Sequence, residues 1–503
     1  MNKPPKTPKI STSMPINKPP HHPVGRVSPQ GVTRRWPDSD TDVGLRCANP
    51  TYAAELRKRW EHAGGTIPNE WEIVPLETLL QDKKSIAVGV MYPGPETPGG
   101  TPLIKVGDVK QGTVPVKPSY CISKEINNEY KRTQLRGDEL LITLVGDPGE
   151  CVVVGPHMAG WNPARAIAVV RLRDSCLRIY LKTILESSAG KHLIDAVLNT
   201  TVQKTLNLKD VKQLPIPIPP SATIAALSAF SQALSDRITL LRETNATLEA
   251  IAQALFKSWF VDFDPVHTKQ QGRAPEGMDE ATTALFPDSF EESELGLVPT
   301  GWRVTSFTDT VNVIGGGTPK TSIGEYWNGD IPWFSVVDAP ISTDVFVIDT
   351  EKHITEAGLG NSSTKLLLAG TTIISARGTV GRLALTGREM AMNQSCYGLR
   401  GKIGDDYFTY FSTYQLVETL KQRAHGSVFD TITRDTLSGV VTVYPENAVI
   451  SAFERLLSPL MERIRENLKQ AQTLATLRDT LLPRLISGQL RLPEAVTLIE
   501  EIA

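Results

Sequence analysis

The sequence is poor in the features that mark secreted, membrane-spanning and metal-binding proteins. Its 503 residues include five cysteines and no Cys-x-x-Cys pair, so neither a disulfide framework nor a zinc site is predicted. No apolar run reaches the roughly 18 residues that a membrane-spanning helix needs, and the N-terminus lacks the apolar core of a signal peptide. Lys and Arg number 53 against 55 Asp and Glu, so any nucleic-acid surface has to be local. These absences predict a cytoplasmic protein without a membrane partner.

Recognisable catalytic motifs are also missing. The segment Gly315-Gly-Gly-Thr-Pro-Lys-Thr-Ser322 has the composition of a phosphate-binding loop, but its lysine does not follow a glycine. Asn49-Pro-Thr51 and Asn162-Pro-Ala164 both depart from an Asn-Pro-Pro-Tyr base-methylation motif at the third position. Neither His-Glu-x-x-His nor Gly-x-Ser-x-Gly occurs. The prediction is a chain with no catalytic residues, no metal site and no cofactor of its own.

Two long heptad patterns dominate the rest of the sequence. Leucine recurs every seventh residue from Leu227 to Leu255, and a shift of 226 residues aligns this pattern with a second one without a gap. Repeats of this length are typical of a coiled coil, although two ordinary core helices would be the plain alternative. We predict that the following residues pair the helices and form a subunit interface: Leu227, Leu234, Leu241, Asn245, Leu248, Leu255, Trp259, Leu460, Ile464, Asn467, Leu474 and Leu481.

Each pattern has one asparagine on its seam, Asn245 and Asn467. A buried asparagine costs stability but fixes the register and the number of helices. Pro459 interrupts the second pattern, so we expect either a kink or a helix that starts there with Ser458 as its N-cap.

A globular segment precedes each helix, and the two segments correspond along their length. Pro68-Asn-Glu-Trp71 matches Pro299-Thr-Gly-Trp302, Gly146-Asp-Pro-Gly149 matches Gly378-Thr-Val-Gly381, and Asn162 matches Asn393. Short apolar runs separated by Gly and Pro indicate strands in both. The predicted organisation is a basic disordered leader (1–65), a first head (66–220), helix 1 (221–262), a central connector (263–298), a second head (299–446), helix 2 (447–487) and a C-terminal tail (488–503).

Polar residues suited to DNA lie on corresponding segments of the two heads. Arg and Lys match phosphates and guanine edges, and Asn and Gln match adenine. Any one of them alone would more simply be structural or solvated. The candidates in the second head are Thr318, Lys320, Thr321, Tyr326, Trp327, Arg377, Thr379, Arg382, Asn393 and Gln394. Those in the first head are Lys105, Lys110, Gln111, Lys131, Arg132, Asn162 and Arg165.

Several stretches resemble the specificity subunits of type I restriction–modification enzymes, over about residues 66–490. The resemblance lies in Leu255-Phe-Lys-Ser-Trp-Phe-Val-Asp-Phe-Asp-Pro265, Leu285-Phe-Pro-Asp-Ser-Phe-Glu-Glu-Ser-Glu-Leu-Gly296, Pro299-Thr-Gly-Trp302, Ile373-Ile-Ser-Ala-Arg-Gly-Thr-Val-Gly381 and Leu477-Arg-Asp-Thr-Leu-Leu-Pro-Arg-Leu-Ile-Ser-Gly-Gln-Leu490. It implies an α+β fold in which two target-recognition domains are each followed by a long helix. The two helices would pair as an antiparallel coiled coil with pseudo-two-fold symmetry.

The resemblance also implies a function. The chain would be a non-catalytic reader of double-stranded DNA that recognises a bipartite target with a non-specific spacer. Two methyltransferase subunits and two restriction/translocase subunits would assemble on it, and AdoMet, ATP and Mg²⁺ would belong to those partners. Two alternatives come from other classes: a coiled-coil adaptor or DNA-binding protein outside restriction, and an unrecognised DNA-modifying enzyme.

Overall fold

The computed structural model describes residues 50–502 except 111, 116, 200–203, 341–343 and 424–430. Most of the predicted basic leader, residues 1–49, therefore lies outside the described residues. The first helix, α1 (Pro50–His62), buries Leu56 and Trp60. Helix α1 lies inside the predicted leader (1–65), where Tyr52 to His62 has the pattern of a short helix ended by Gly64-Gly65. Its two buried apolar side chains give it a face that packs on the first head.

The first head has two small sheets that bury continuous apolar runs. Its strands are β1 (Glu72–Pro75), β2 (Ile86–Val88), β3 (Thr101–Ile104), β4 (Cys121–Ile122), β5 (Leu140–Thr143), β6 (Cys151–Val153), β7 (Asn162–Pro163), β8 (Ile167–Val170) and β9 (Pro215–Ile218). Its helices are α2 (Lys124–Glu129), α3 (Leu177–Glu186), α4 (Ser188–Asp195) and α5 (Leu208–Lys212). Strands β5 and β8 are buried at every position, as expected for strands covered on both faces.

The second head repeats this arrangement. Its strands are β12 (Arg303–Ser306), β13 (Val311–Gly315), β14 (Trp327–Phe334), β15 (Phe346–Val347), β16 (His353–Ile354), β17 (Thr372–Ser375), β18 (Leu383–Thr386), β19 (Ala391–Met392), β20 (Cys396–Gly401) and β21 (Val441–Tyr444). Its helices are α9 (Phe307–Thr310), α10 (Glu356–Gly360), α11 (Asp406–Arg423) and α12 (Arg434–Ser438).

The two heads share one strand topology. The order β2-β8-β5-β6 in the first corresponds to β13-β20-β17-β18 in the second, which adds β15 at the edge. The order β4-β3-β7 corresponds to β16-β14-β19, and in both heads the last pair is parallel. An antiparallel pair, β1 with β9 or β12 with β21, joins the two ends of each head. The two heads are therefore copies of one unit.

Two helices of 40 residues each connect the heads: α6 (Ser221–Phe260) and α13 (Asn447–Ile486). They are antiparallel, because contacts run in opposite directions along them. Arg237 reaches Gln470, Asn245 bonds to Asn467 and Phe256 stacks near Phe453. The predicted fold class, with two heads and paired helices, is confirmed.

The seam follows the predicted heptads from the first head to its centre, and an aromatic cluster joins it towards the second head. Leu227, Leu234 and Leu241 are buried, as are Trp259, Ile464, Leu474 and Leu481. Leu248, Leu255 and Leu460 are only partly buried and pack at the edge of an aromatic cluster. In that cluster, Phe256 and Phe260 lie with their ring centres 4.9–5.8 Å from those of Phe453 and Phe408. Large rings from α6, α11 and α13 replace simple leucine pairing at this end.

The predicted central connector (263–298) contains regular structure. It forms α7 (Asp264–Gln270), α8 (Glu280–Ala284) and a hairpin of β10 (Phe290–Ser293) with β11 (Gly296–Pro299). Val266 and Phe286 are buried in the aromatic cluster, so tertiary packing holds segments whose local sequence reads as loop. The acidic stretch 291–294 lies mostly in β10, and its three glutamates are exposed.

The C-terminal half of the chain departs from prediction at two further points. Pro459 and Pro483 both lie inside α13, which begins at Asn447, so Pro459 does not start the helix. The predicted tail (488–503) contains α14 (Leu492–Ile502), with Ala495 buried. Gly488, just after α13, lies beside Pro68 at the start of the first head. Helix α13 therefore begins at the second head and ends at the first.

Candidate nucleic-acid interface

Three segments of the second head converge at one edge of its two sheets. They are the loop after β13, the turn between β17 and β18, and the loop after β19. Thr318 Oγ1 donates to Gln394 Oε1, which joins the first segment to the third. The Ala376 amide donates to the Ser395 carbonyl at 2.7 Å, which joins the second to the third. Predicted residues far apart in sequence are thus brought together.

Two tryptophans support the loop after β13. Trp333 Nε1 donates to the Gly317 carbonyl at 3.0 Å and Trp327 Nε1 to the Lys320 carbonyl at 3.3 Å. The two rings meet edge-on with centres 5.2 Å apart. Lys320 and the neighbouring Thr321 are exposed, whereas Tyr326 and Trp327 are half-buried. The loop therefore presents polar side chains on a fixed aromatic support.

The turn after β17 is built from hydrogen bonds of one serine. Ser375 Oγ donates to the Thr379 carbonyl at 2.5 Å and accepts from the Arg382 amide at 2.8 Å. Gly378 has a φ of 76°, a conformation that favours glycine. Arg377, Thr379 and Arg382 are exposed, and Arg382 also donates to the Pro340 carbonyl at 3.4 Å.

The first head has the same turn with the opposite charge. Thr143 Oγ1 donates to the Asp147 carbonyl at 2.5 Å and accepts from the Glu150 amide at 3.0 Å. Asp147 and Glu150 thus stand where the second head has Thr379 and Arg382. The sequence match of the two glycine turns is correct, but only the second turn has the charge to attract phosphate.

The acidic turn of the first head lines a cavity of about 920 Å³ beside the helix pair. The middle of α6 and α13 forms another wall, and Asp344 and Asp349 of the second head complete it. Burial lowers the pKa of Arg242 and raises the pKa of Asp344, two residues that face each other here. Carboxylates outnumber cations in the lining, so the cavity disfavours a phosphate backbone.

The other predicted residues of the first head are mostly accessible. Lys110, Lys131 and Arg165 are exposed. Arg132 is exposed and donates to the Lys84 carbonyl at 2.7 Å. Lys105 is half-buried, with its ammonium 3.7 Å from the centre of the Tyr120 ring. Gln111 lies outside the described residues.

The prediction that Asn162 contacts DNA is wrong for this fold. Its side chain is fully buried, accepts from Thr133 Oγ1 at 2.8 Å and donates to Asn127 Oδ1 at 2.8 Å. A buried amide with both ends satisfied is a structural element that has nothing left to offer a base.

The sequence match of Asn162 with Asn393 is also two residues out of register. The Asn393 amide donates to the Phe334 carbonyl at 2.9 Å, and the bond at the same place in the first head runs from Ala164 to Ile104 at 2.8 Å. Ala164 is therefore the structural equivalent of Asn393. Unlike Asn162, Asn393 is half-buried, and its side-chain oxygen accepts from the Ser395 amide at 3.0 Å.

Two exposed residues of the first head lie beside a predicted DNA-contacting residue but were not among the candidates from the sequence. Met91 and Tyr92 follow β2 in a loop next to Arg165, and their exposed fractions are 38% and 76%. The available signal was a methionine and a tyrosine directly before Pro93 and Gly94, a site where a strand ends.

The fold and these surfaces define a class: a duplicated two-headed recognition protein built on a pair of antiparallel helices. Residues 299–441 match the family described as "Type I restriction modification DNA specificity domain". The chain is 29% identical to the HindI specificity subunit of Haemophilus influenzae, over 62% of this chain and 74% of that protein. It is 31% identical to the MjaIX specificity subunit of Methanocaldococcus jannaschii, over 37% of this chain and 44% of that one.

A solved type I S subunit from M. genitalium has a TM-score of 0.47 and 15% identity, covering 83% of this chain and 97% of that one. By these sequence matches, the chain is similar to the specificity subunits of type I restriction–modification enzymes. Within the described ranges, no helix is long and apolar enough to cross a membrane.

Proposed function

We propose that this chain reads a bipartite DNA target, one half with each head, and that the helix pair sets the spacing between the halves. The observation that carries the proposal is the repetition of one head topology at the two ends of an antiparallel pair of 40-residue helices. Forty residues span about 60 Å, which exceeds the 34–36 Å of one turn of DNA. Two heads so spaced suit separated half-sites.

The chain acts as the non-catalytic subunit and brings methyltransferase and restriction subunits to the target. Two of each join it, and AdoMet, ATP and Mg²⁺ are bound by those partners. The names of the relatives support this assignment, because they are specificity subunits of restriction enzymes. The complex works in the cytoplasm, where DNA and these cofactors are found.

A head exchange tests the proposal that each head recognises its own half-site. Residues 299–445 are replaced by the corresponding head of a related subunit, and the modified sequence is mapped in a strain that carries the hybrid complex. One half of the recognised sequence should change and the other should persist. If both halves change, or neither does, the proposal is wrong.

A further inference from the structure

The two heads place different side chains at one structurally equivalent position. Ala166 accepts the Leu144 amide at 2.8 Å, just as Ser395 accepts the Ala376 amide at 2.7 Å. With the equivalence of Ala164 and Asn393, these bonds make Arg165 the counterpart of Gln394. Both side chains are exposed.

Each of these side chains has a partner on the loop that follows the first strand of its sheet. The Val90 amide donates to the Pro163 carbonyl at 2.7 Å, and the Gly317 amide to the Met392 carbonyl at 3.0 Å. The next residues, Met91 and Thr318, are therefore equivalent as well.

The side-chain contacts follow the same plan in both heads. Arg165 Nη1 lies 3.9 Å from Met91 Sδ, and Thr318 Oγ1 bonds to Gln394 Oε1. Two independent loops thus meet in each head through one pair of side chains. The pair is arginine with methionine in one head and glutamine with threonine in the other.

We propose that Met91 with Arg165 and Thr318 with Gln394 are equivalent specificity-determining pairs, the first reading guanine and the second adenine. This inference rests on the proposed function. The guanidinium fork of arginine matches the O6 and N7 acceptors of guanine, and a glutamine amide matches the N6 donor and N7 acceptor of adenine.

The partners act as positioning residues. A carboxamide oxygen has two lone pairs, so the bond from Thr318 orients Gln394 and still leaves one lone pair and the amide donors for a base. The thioether of Met91 is a weak acceptor and takes little of the five-donor capacity of Arg165. Next to Met91 in the same loop, Tyr92 is exposed.

The test is selection of duplexes from a randomised DNA library by the full chain in complex with its methyltransferase subunits. Arg165→Gln should change the preference at one position of one half-site from G towards A. Gln394→Arg should change A towards G in the other half. Each change should alter discrimination at its position by about 5- to 150-fold, the range of one bidentate base contact.

Two further variants separate base reading from general charge. Arg165→Lys keeps the charge but loses the fork, so it should lower discrimination at the same position while retaining most of the affinity. Lys58→Gln removes one exposed charge from α1, outside both loops, and should leave the selected sequence unchanged.

The outcomes distinguish the inference from the proposed function. If Arg165→Gln selects the wild-type sequence, or weakens binding to all sequences equally, Arg165 does not read a base and the inference is wrong. If the unaltered complex selects no bipartite sequence, the proposed function itself fails.

Discussion

At the scale of single residues, two polar side chains fix the register of the helix pair. Asn467 Nδ2 donates to Asn245 Oδ1 at 2.9 Å, and Asn245 Nδ2 donates to the Ile464 carbonyl at 3.1 Å. Both asparagines are almost fully buried. A one-turn slip would leave these amides facing apolar seam residues such as Leu241 and Ile464, and an unsatisfied buried polar group costs about 1–3 kcal/mol. The pair therefore favours one register over its neighbours.

Single and double replacement should separate stability from register. Asn245→Leu leaves Asn467 without its acceptor and should lower the free energy of unfolding by about 1–3 kcal/mol. The double variant Asn245→Leu with Asn467→Leu removes both polar groups, so it should recover most of that loss while populating other registers or oligomers. Chemical denaturation and light scattering measure the two effects. A double variant as unstable as the single one would contradict this account.

At the scale of elements, neighbouring residues of α6 differ sharply in burial. Leu241 is 3% exposed on the seam, whereas Leu240 is 52% exposed on the outer face. Heptad spacing made this distinction predictable, because period alone determines which face of a helix is covered.

Substitution of these two leucines by aspartate gives a matched test. Leu241→Asp places a charge in the seam, which should cost several kcal/mol and abolish co-purification with the methyltransferase subunits. Leu240→Asp adds the same charge to the outer face and should leave the melting temperature of the chain close to that of the wild type. Equal effects of the two variants on that temperature would show that the helices do not pair through the seam.

A second element-scale feature is the junction of α11 with α13. Glu454 accepts the Phe408 amide at 2.7 Å. Burial, with a contribution from Asp406 and Asp405, raises the pKa of Glu454 from 4.5 to about 8. In the unfolded chain the carboxyl ionises near its ordinary value. Its contribution to stability is therefore complete below pH 4.5 and is lost as the pH rises through about 8.

Glu454→Gln should remove this pH dependence while keeping an oxygen for the Phe408 amide. The melting temperature of the wild type should fall relative to that of the variant between pH 4.5 and about 8. Glu462→Gln, at an exposed position on the same helix, keeps Glu454 and should retain the wild-type slope. Parallel wild-type and Glu454→Gln curves would mean that this carboxyl stays ionised in the fold.

How far each element could be predicted depends on where its stability comes from. The helices α6 and α13 follow from local periodicity. The elements α7, α14 and the β10–β11 hairpin could not be predicted, because short segments owe their form to tertiary packing, such as that of Phe286 in the aromatic cluster. The role of Asn162 was missed because the sequence match of the two heads does not reveal strand register, which makes Ala164 the structural equivalent of Asn393.

At the scale of the whole molecule, the helix pair is a spacer with a definite length. The head topology repeats at both ends, and the aromatic cluster fixes the second head to α6 and α13 together. A change in the length of both helices should therefore move one whole head relative to the other, with neither recognition surface altered.

Lengthening both helices at the same level tests this role. Thr247–Ala250 is duplicated after Ala250, and Glu462–Arg465 after Met461, which lies across the pair between the Asn245–Asn467 and Phe256–Phe453 contacts. Four residues add about 6 Å and rotate the second head by about 40°. One base pair of DNA advances about 3.4 Å and turns by about 34–36°. The rotation of the head therefore matches a spacer that is one base pair longer better than one that is two base pairs longer. Methylome sequencing should find the same half-sites with that longer spacer.

The same four residues placed between Glu294 and Leu295, in the exposed hairpin turn, should leave the spacer unchanged. Full activity with an unchanged spacer in the lengthened chain would mean that something other than the helix pair sets the distance between the half-sites.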